Sequence, residues 1–302
     1  MSRRLGVELS LFLVALFWAA NYSLIQYILR EIPVIVFVTL RFAIIAAAGW
    51  AAVALYRQPA RWRREDLPLL AAIGILGGGV YQYLFVLGLS RTTSFSSALL
   101  NTTAPLLSLA ILALLRIEPV RPWHWAGYAL AFAGIAVFLV ESRRGPAQLE
   151  GNLLSLAAAL CWAIYGILAK KVSHRYSALT MGAWTYTVCF ASIAAYGGAA
   201  TLVFPLARIR PLVWIAVAAS GIFAVTIGWI VWVHGIRVLG VAGTVKFSFV
   251  VPVAAGIFAV IFQGERFTAV KLAGAAAVLL GLLLARVPGW RTPPLEPRER
   301  AS

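Results

Sequence analysis

Apolar residues fill ten successive stretches of the chain: 7–28, 33–56, 67–89, 94–115, 122–140, 151–170, 177–199, 211–235, 241–262 and 268–286. Each is near the ~20 residues that carry an α-helix across the hydrocarbon core of a bilayer. The connections between them are short, so no soluble domain folds between the runs. The pattern predicts an all-α integral membrane protein with ten transmembrane helices.

Part of this pattern is written twice. A shift of 147 positions places Val86 on Val233, Gly88 on Gly235, Pro105 on Pro252, Glu118 on Glu265, Gly127 on Gly274 and Gly134 on Gly281. A weaker match, at a shift of 144, places Trp18-Ala19 on Trp162-Ala163. In each copy a hydrophobic run carries a proline near its middle and ends at a glutamate; the next run carries two glycines seven apart. The matches fall on spans 3–5 and 8–10, so each half holds five helices. Five is odd, so the second copy enters the membrane from the opposite side, which makes an inverted-topology repeat. The expected units are 1–145, 146–286 and a disordered cytoplasmic tail at 287–302, where four prolines are mixed with alternating charges.

Composition agrees with a membrane protein: of 302 residues, 62% are hydrophobic and 12% charged, and mean hydropathy is +0.89. The net charge of +16 invites a nucleic-acid partner, but the distribution of basic residues removes it. With the N-terminus in the cytoplasm, 16 Lys and Arg fall on the cytoplasmic side and 8 on the outer side, while Arg41 and Lys246 lie within spans. That bias predicts a bacterial inner-membrane protein with both termini cytoplasmic. The expected partners are the lipid bilayer and a small-molecule substrate, with the chain a monomer or weak homodimer. Cys161 and Cys189 lie inside apolar runs, with no disulfide or metal-ligand spacing. The first run is too long for a signal-peptide core and stays as a helix.

The segment from Pro105 through Glu118 to Gly134, and that from Pro252 through Gly264-Glu265-Arg266 to Gly281, resemble the drug/metabolite transporter superfamily, specifically its EamA-type members. Trp18 and Trp162 fit the same resemblance, which covers residues 7–286. It implies ten helices as two inverted five-helix repeats around a central cavity, and export of small metabolites, often amino acids. One departure is the first copy's Glu118-Pro119, where the second keeps Glu265-Arg266; an ion pair or cap at that corner is then missing from the first half.

The ten carboxylates all lie at helix ends, in loops or in the tail. Intramembrane carboxylates are the usual proton or sodium relays, so their absence favours facilitated movement. With no HExxH and no nucleophile elbow, the chain is not expected to be an enzyme or to need a cofactor. Lys246, about five residues into span 9, either faces an aqueous cavity and receives a substrate carboxylate or snorkels to the cytoplasmic interface. Arg41, eight residues into span 2, is either a substrate clamp or, the favoured alternative, a structural group holding backbone carbonyls. His234, near the cytoplasmic end of span 8, reads as an interfacial histidine and is the one group poised to titrate near neutrality.

Ser97, Asn101 and Ser108 share one face of span 4 around Pro105. They are either helix–helix glue or a cavity wall with Asn101 orienting the substrate. Asn101 aligns with Ser248, so each half puts a small polar group one turn before its proline, Pro105 or Pro252. Deep aromatics complete the candidate binding set: Trp18, Tyr22, Trp162, Tyr165, Tyr83 and Trp229. Together they predict an alternating-access exporter of amino acids, aromatic or other apolar ones favoured, or of similar small carboxylates. A sugar-phosphate or nucleotide-sugar carrier and a non-transporting scaffold or sensor are the alternatives.

Overall fold

The computed structural model describes residues 3–115, 122–142, 145–172 and 174–285. Glu118-Pro119 and the tail 287–302 lie outside the described residues. The chain forms α1 (Arg3–Ile28), α2 (Val34–Leu55), α3 (Leu67–Gly74), α4 (Tyr81–Arg91), α5 (Ser94–Asn101), α6 (Ala104–Leu114) and α7 (Pro122–Ser142). The second half forms α8 (Pro146–Val172), α9 (Ala178–Val203), α10 (Pro211–Gly221), α11 (Gly228–Val245), α12 (Val250–Gln263) and α13 (Ala269–Leu284). Among the described residues nine continuous helical stretches are long and apolar enough to cross a membrane, and α13, at 16 residues, is a shorter tenth. Helix is the form available to such stretches, because in hydrocarbon each backbone N–H and C=O must find its partner within the segment. Successive spans alternate in direction, so the bundle has a near end, where α1 begins, and a far end, where it finishes.

Several spans expected to be uninterrupted are broken, and the breaks follow the repeat. π-helical turns interrupt the third and eighth spans at Ile75–Val80 and Ile222–Ile227, positions related by the same 147-residue shift. The fold thus carries the repeat back beyond the sequence match, which starts near residue 83. The fourth span breaks at Thr102-Thr103. There Pro105 supplies no N–H, and Thr102 Oγ1 donates to Leu99 O at 2.6 Å and Thr103 Oγ1 to Leu100 O at 2.6 Å. Ser108 Oγ adds a bond to Ala104 O at 3.0 Å on the other side of the break. In the ninth span a 3-10 turn, Lys246–Phe249, precedes α12.

The repeated glycines bring the two copies together. A methyl group at Gly281 would lie 2.5 Å from Ala131 N and 2.6 Å from Gly127 O, and one at Gly134 would lie 2.7 Å from Gly274 O. α7 and α13 therefore cross backbone against backbone along the glycine faces. α2 packs on α9, α4 on α8 and α1 on α12, each pair joining the two halves; the α2–α9 pair is the most extensive of the three. Both ends of that pair are clasped: at the far end Glu31 pairs with Arg210, and at the near end Asp66, 4% exposed, accepts from Arg175 and from Tyr176. Each clasp joins the first half to the second, with the acid on the first half and the base on the second in both.

At the far end α5 packs on α8 and α12, and Gln263 Nε2 donates to Ser94 Oγ at 2.8 Å. Gly264, at φ 66°, ends α12 in the left-handed region, which L side chains adopt at a cost. The next residue, Glu265, pairs with Lys271 rather than the adjacent Arg266. Both side chains are buried, at 6% and 8% exposure, and the ammonium lies over the Phe95, Phe138 and Phe267 rings. Glu265 lies just past the end of α12, as its chain position implies, and is nonetheless buried.

Candidate functional site

A continuous row of aromatic rings crosses the boundary between the halves. Tyr22 of α1 meets Phe85 of α4 edge-on, with centroids 5.3 Å apart. Phe85 stacks on Tyr81 one helical turn away, at 6.0 Å. Tyr81 meets Trp162 of α8 at 4.8 Å, and Trp162 stacks on Tyr165 at 4.7 Å. Spacings of four and three residues put each intrahelical pair on one face. The glycines of the first π-helical turn make room for the row, since a methyl group at Gly77 would lie 2.0 Å from the Tyr165 ring. Beside the row, Trp18 donates its indole N–H to Ala224 O at 2.6 Å, within the second π-helical turn, and packs on Trp232 at 5.3 Å.

Behind Tyr81 lies a buried cation. Arg41 is 2% exposed; its Nη1 donates to Gln82 Oε1 at 3.2 Å and its Nη2 to Ser220 O at 3.1 Å. Gln82 follows the first π-helical turn and Ser220 precedes the second, so the guanidinium bolts the two halves at equivalent breaks. It holds the one backbone carbonyl of Ser220 and the amide of Gln82.

The remaining sequence candidates separate by location. Lys246 does not face the ring row: at the near end its Nζ lies 3.0 Å from Glu8 Oε1, and the side chain is 56% exposed. The break at Gly240, φ 75°, and the following 3-10 turn carry it to the surface rather than one turn into a straight span. Ser97 is fully buried and accepts from Ser155 Oγ of α8 at 3.1 Å, and Asn101 Nδ2 turns back to Ser97 O at 2.9 Å. That seam ties α5 to α8. Ser248 is half-buried in the 3-10 turn, Pro105 and Pro252 begin α6 and α12, and His234 is exposed on α11. Tyr83 pairs with the exposed Tyr196 at 5.7 Å, away from the row. Trp232, not Trp229, packs on Trp18.

Phe85, Gln82 and Ser220 are not among the sequence candidates; Tyr81 and Trp232 stand among the deep aromatics of the third and eighth spans but outside the candidate binding set. The four-residue spacing of Tyr81 and Phe85 was a usable signal. The pairing of Trp18 with Trp232, 214 positions away by residue number, left none.

Residues 5–140 and 149–287 each match the EamA-like transporter family, so the match covers both halves and nearly the whole chain. The chain belongs to the EamA-like transporter family. This EamA-like transporter is 26% identical to a protein of Escherichia coli named probable amino-acid metabolite efflux pump, over 94% of this chain and 95% of that one. It is 27% identical to the aromatic amino acid exporter YddG of Ancylobacter novellus, over 83% and 86% of the two chains. One solved structure, titled only as the crystal structure of a protein, superposes with a TM-score of 0.62 over 94% of this chain and 98% of the other, at 24% identity. That likeness concerns the fold alone. Family membership makes the EamA-like chain a membrane transporter, and the ring row lies where its two repeats meet.

Proposed function

We propose that this protein exports amino acids with aromatic or other apolar side chains, by alternating access between its two repeats. The observation that carries the reading is the Tyr22–Phe85–Tyr81–Trp162–Tyr165 row, which is shared by α1, α4 and α8 and so belongs to neither half alone. A planar apolar side chain can replace ring–ring contacts in such a row, each worth about 0.5–1.5 kcal/mol beyond area burial. The names of the two relatives support the substrate class. The excess of basic residues on the near-end loops supports placing that end in the cytoplasm of a bacterial inner membrane. The far end, joined by Gln263–Ser94 and the packing of α5 on α12, then faces outward.

The row holds no carboxylate, which supports facilitated movement down the solute gradient. The test is efflux of a labelled amino-acid panel from proteoliposomes. Flux of phenylalanine or leucine, reduced by Tyr81→Ala, is expected; no flux of any amino acid defeats the reading. Uphill accumulation driven by an imposed pH gradient would refute the facilitated mechanism alone.

A further inference from the structure

We propose that Arg41 is the anion-binding group of this transporter and receives the carboxylate of the solute. The proposal rests on the transport reading above. Two buried cations occur among the described residues, and the fold treats them differently. Lys271 is matched by Glu265. Arg41 hydrogen-bonds only the neutral Gln82 and the Ser220 carbonyl and lies over the Phe37 ring at 5.7 Å, and no carboxylate among the described residues lies within ion-pair distance. Its Nε is buried without a hydrogen-bond partner. Charges taken out of water are held by a counter-charge, and an ionisable side chain inside a membrane span marks a functional site.

The surroundings match an amino acid rather than a bare anion. Arg41 of α2 reaches Gln82 of α4 and Ser220 of α10, and α1 packs on both α4 and α10. Three more buried polar atoms on these helices have no partner: the hydroxyls Ser220 Oγ and Ser23 Oγ, and Asn21 Oδ1, an acceptor. Asn21 precedes Tyr22 and Gln82 follows Tyr81 in the chain, so each is one residue from a member of the ring row. A guanidinium edge and a hydroxyl suit a carboxylate, an amide oxygen suits an ammonium, and the row suits an apolar side chain. Arg41 also touches both halves, beside a π-helical turn in each. Such turns are frequent at functional sites, and a ligand there gains or loses contacts as the halves move.

The experiment uses the whole purified protein and three probes: phenylalanine, phenylalaninamide, which lacks the carboxylate charge, and hydrocinnamate, which lacks the ammonium. Wild-type protein is expected to bind phenylalanine and hydrocinnamate, and to bind the amide about 10- to 100-fold more weakly, as for loss of a charge-assisted hydrogen bond. Arg41→Gln is expected to abolish hydrocinnamate binding and erase most of the difference between phenylalanine and its amide. Should Arg41→Gln fail to fold, the wild-type comparison decides alone. Equal wild-type affinity for phenylalanine and phenylalaninamide overturns the Arg41 assignment and leaves transport standing. Failure of every amino acid to bind or move overturns the transport reading itself.

Discussion

Replacing Gly281 by alanine should loosen the crossing of α7 and α13. The added methyl group would lie 2.5 Å from Ala131 N, 2.6 Å from Gly127 O and 2.7 Å from Ala131 Cβ, whereas ordinary contact begins at 3.4 Å. Two of the three neighbours are backbone atoms and cannot rotate away. The helices must therefore separate by close to 1 Å at this point, and the tight approach at Gly134 and Gly274 lies two turns along the same faces. Overpacking of a close contact costs about 1–3 kcal/mol, and alanine returns about 1 kcal/mol of helix propensity. The expected net loss is about 0–2 kcal/mol, together with a larger distance between labels on the two helices. Gly166→Ala is the matched control, because nothing lies within 4 Å of a methyl group there; it should be neutral or stabilising. The assay is the thermal unfolding midpoint of both variants in the same detergent. A Gly281→Ala protein as stable as Gly166→Ala would refute the close crossing and, with it, the joining of the two copies through their repeated glycines.

Three further outcomes are expected. Hydrogen bonding from Arg210 holds the Glu31 carboxyl below its ordinary 4.5; stability from the far-end clasp is then complete above that ordinary value and lost as pH falls toward and through the lowered one. Unfolding midpoints measured down into the acid range should fall less steeply for Glu31→Gln than for wild type, and parallel curves would count against the clasp. Trp18→Phe removes the indole donor to Ala224 O, at a cost of about 0.5–1.5 kcal/mol for the lost hydrogen bond; an unchanged unfolding midpoint would show that the bond holds nothing. Lys246→Ala should leave the order of preference among amino acids unchanged in the efflux assay, because the lysine is exposed at the near end and paired with Glu8; an altered order would return it to the binding site.

Much of the architecture was legible in residue order. The lengths of the apolar runs mark the spans, and the odd number of helices per copy dictates the inversion. The glycines seven apart in each copy face the same way, and they prove to be the surfaces through which α7 and α13 meet. Proline in the fourth span announces its break, although the threonines that complete it carry no such announcement. The candidate site was legible only in part. Trp18, Tyr22, Trp162 and Tyr165 do lie in or beside the ring row, but Tyr83 and Trp229 do not, and Lys246 belongs to an exposed pair.

The division has a physical cause. In water, the apolar face of a helix is its buried face, so periodicity reports packing. In a bilayer, the face toward lipid and the face toward protein are both apolar, and that signal disappears. Chain order by itself therefore determined where the helices begin and end, how many there are, and that the second half is upside down. Helix crossing decided the rest: which aromatic meets which, that Lys271 is buried on Glu265 while Lys246 reaches Glu8 across 238 residues, and that Arg41 stands between the halves without an acid.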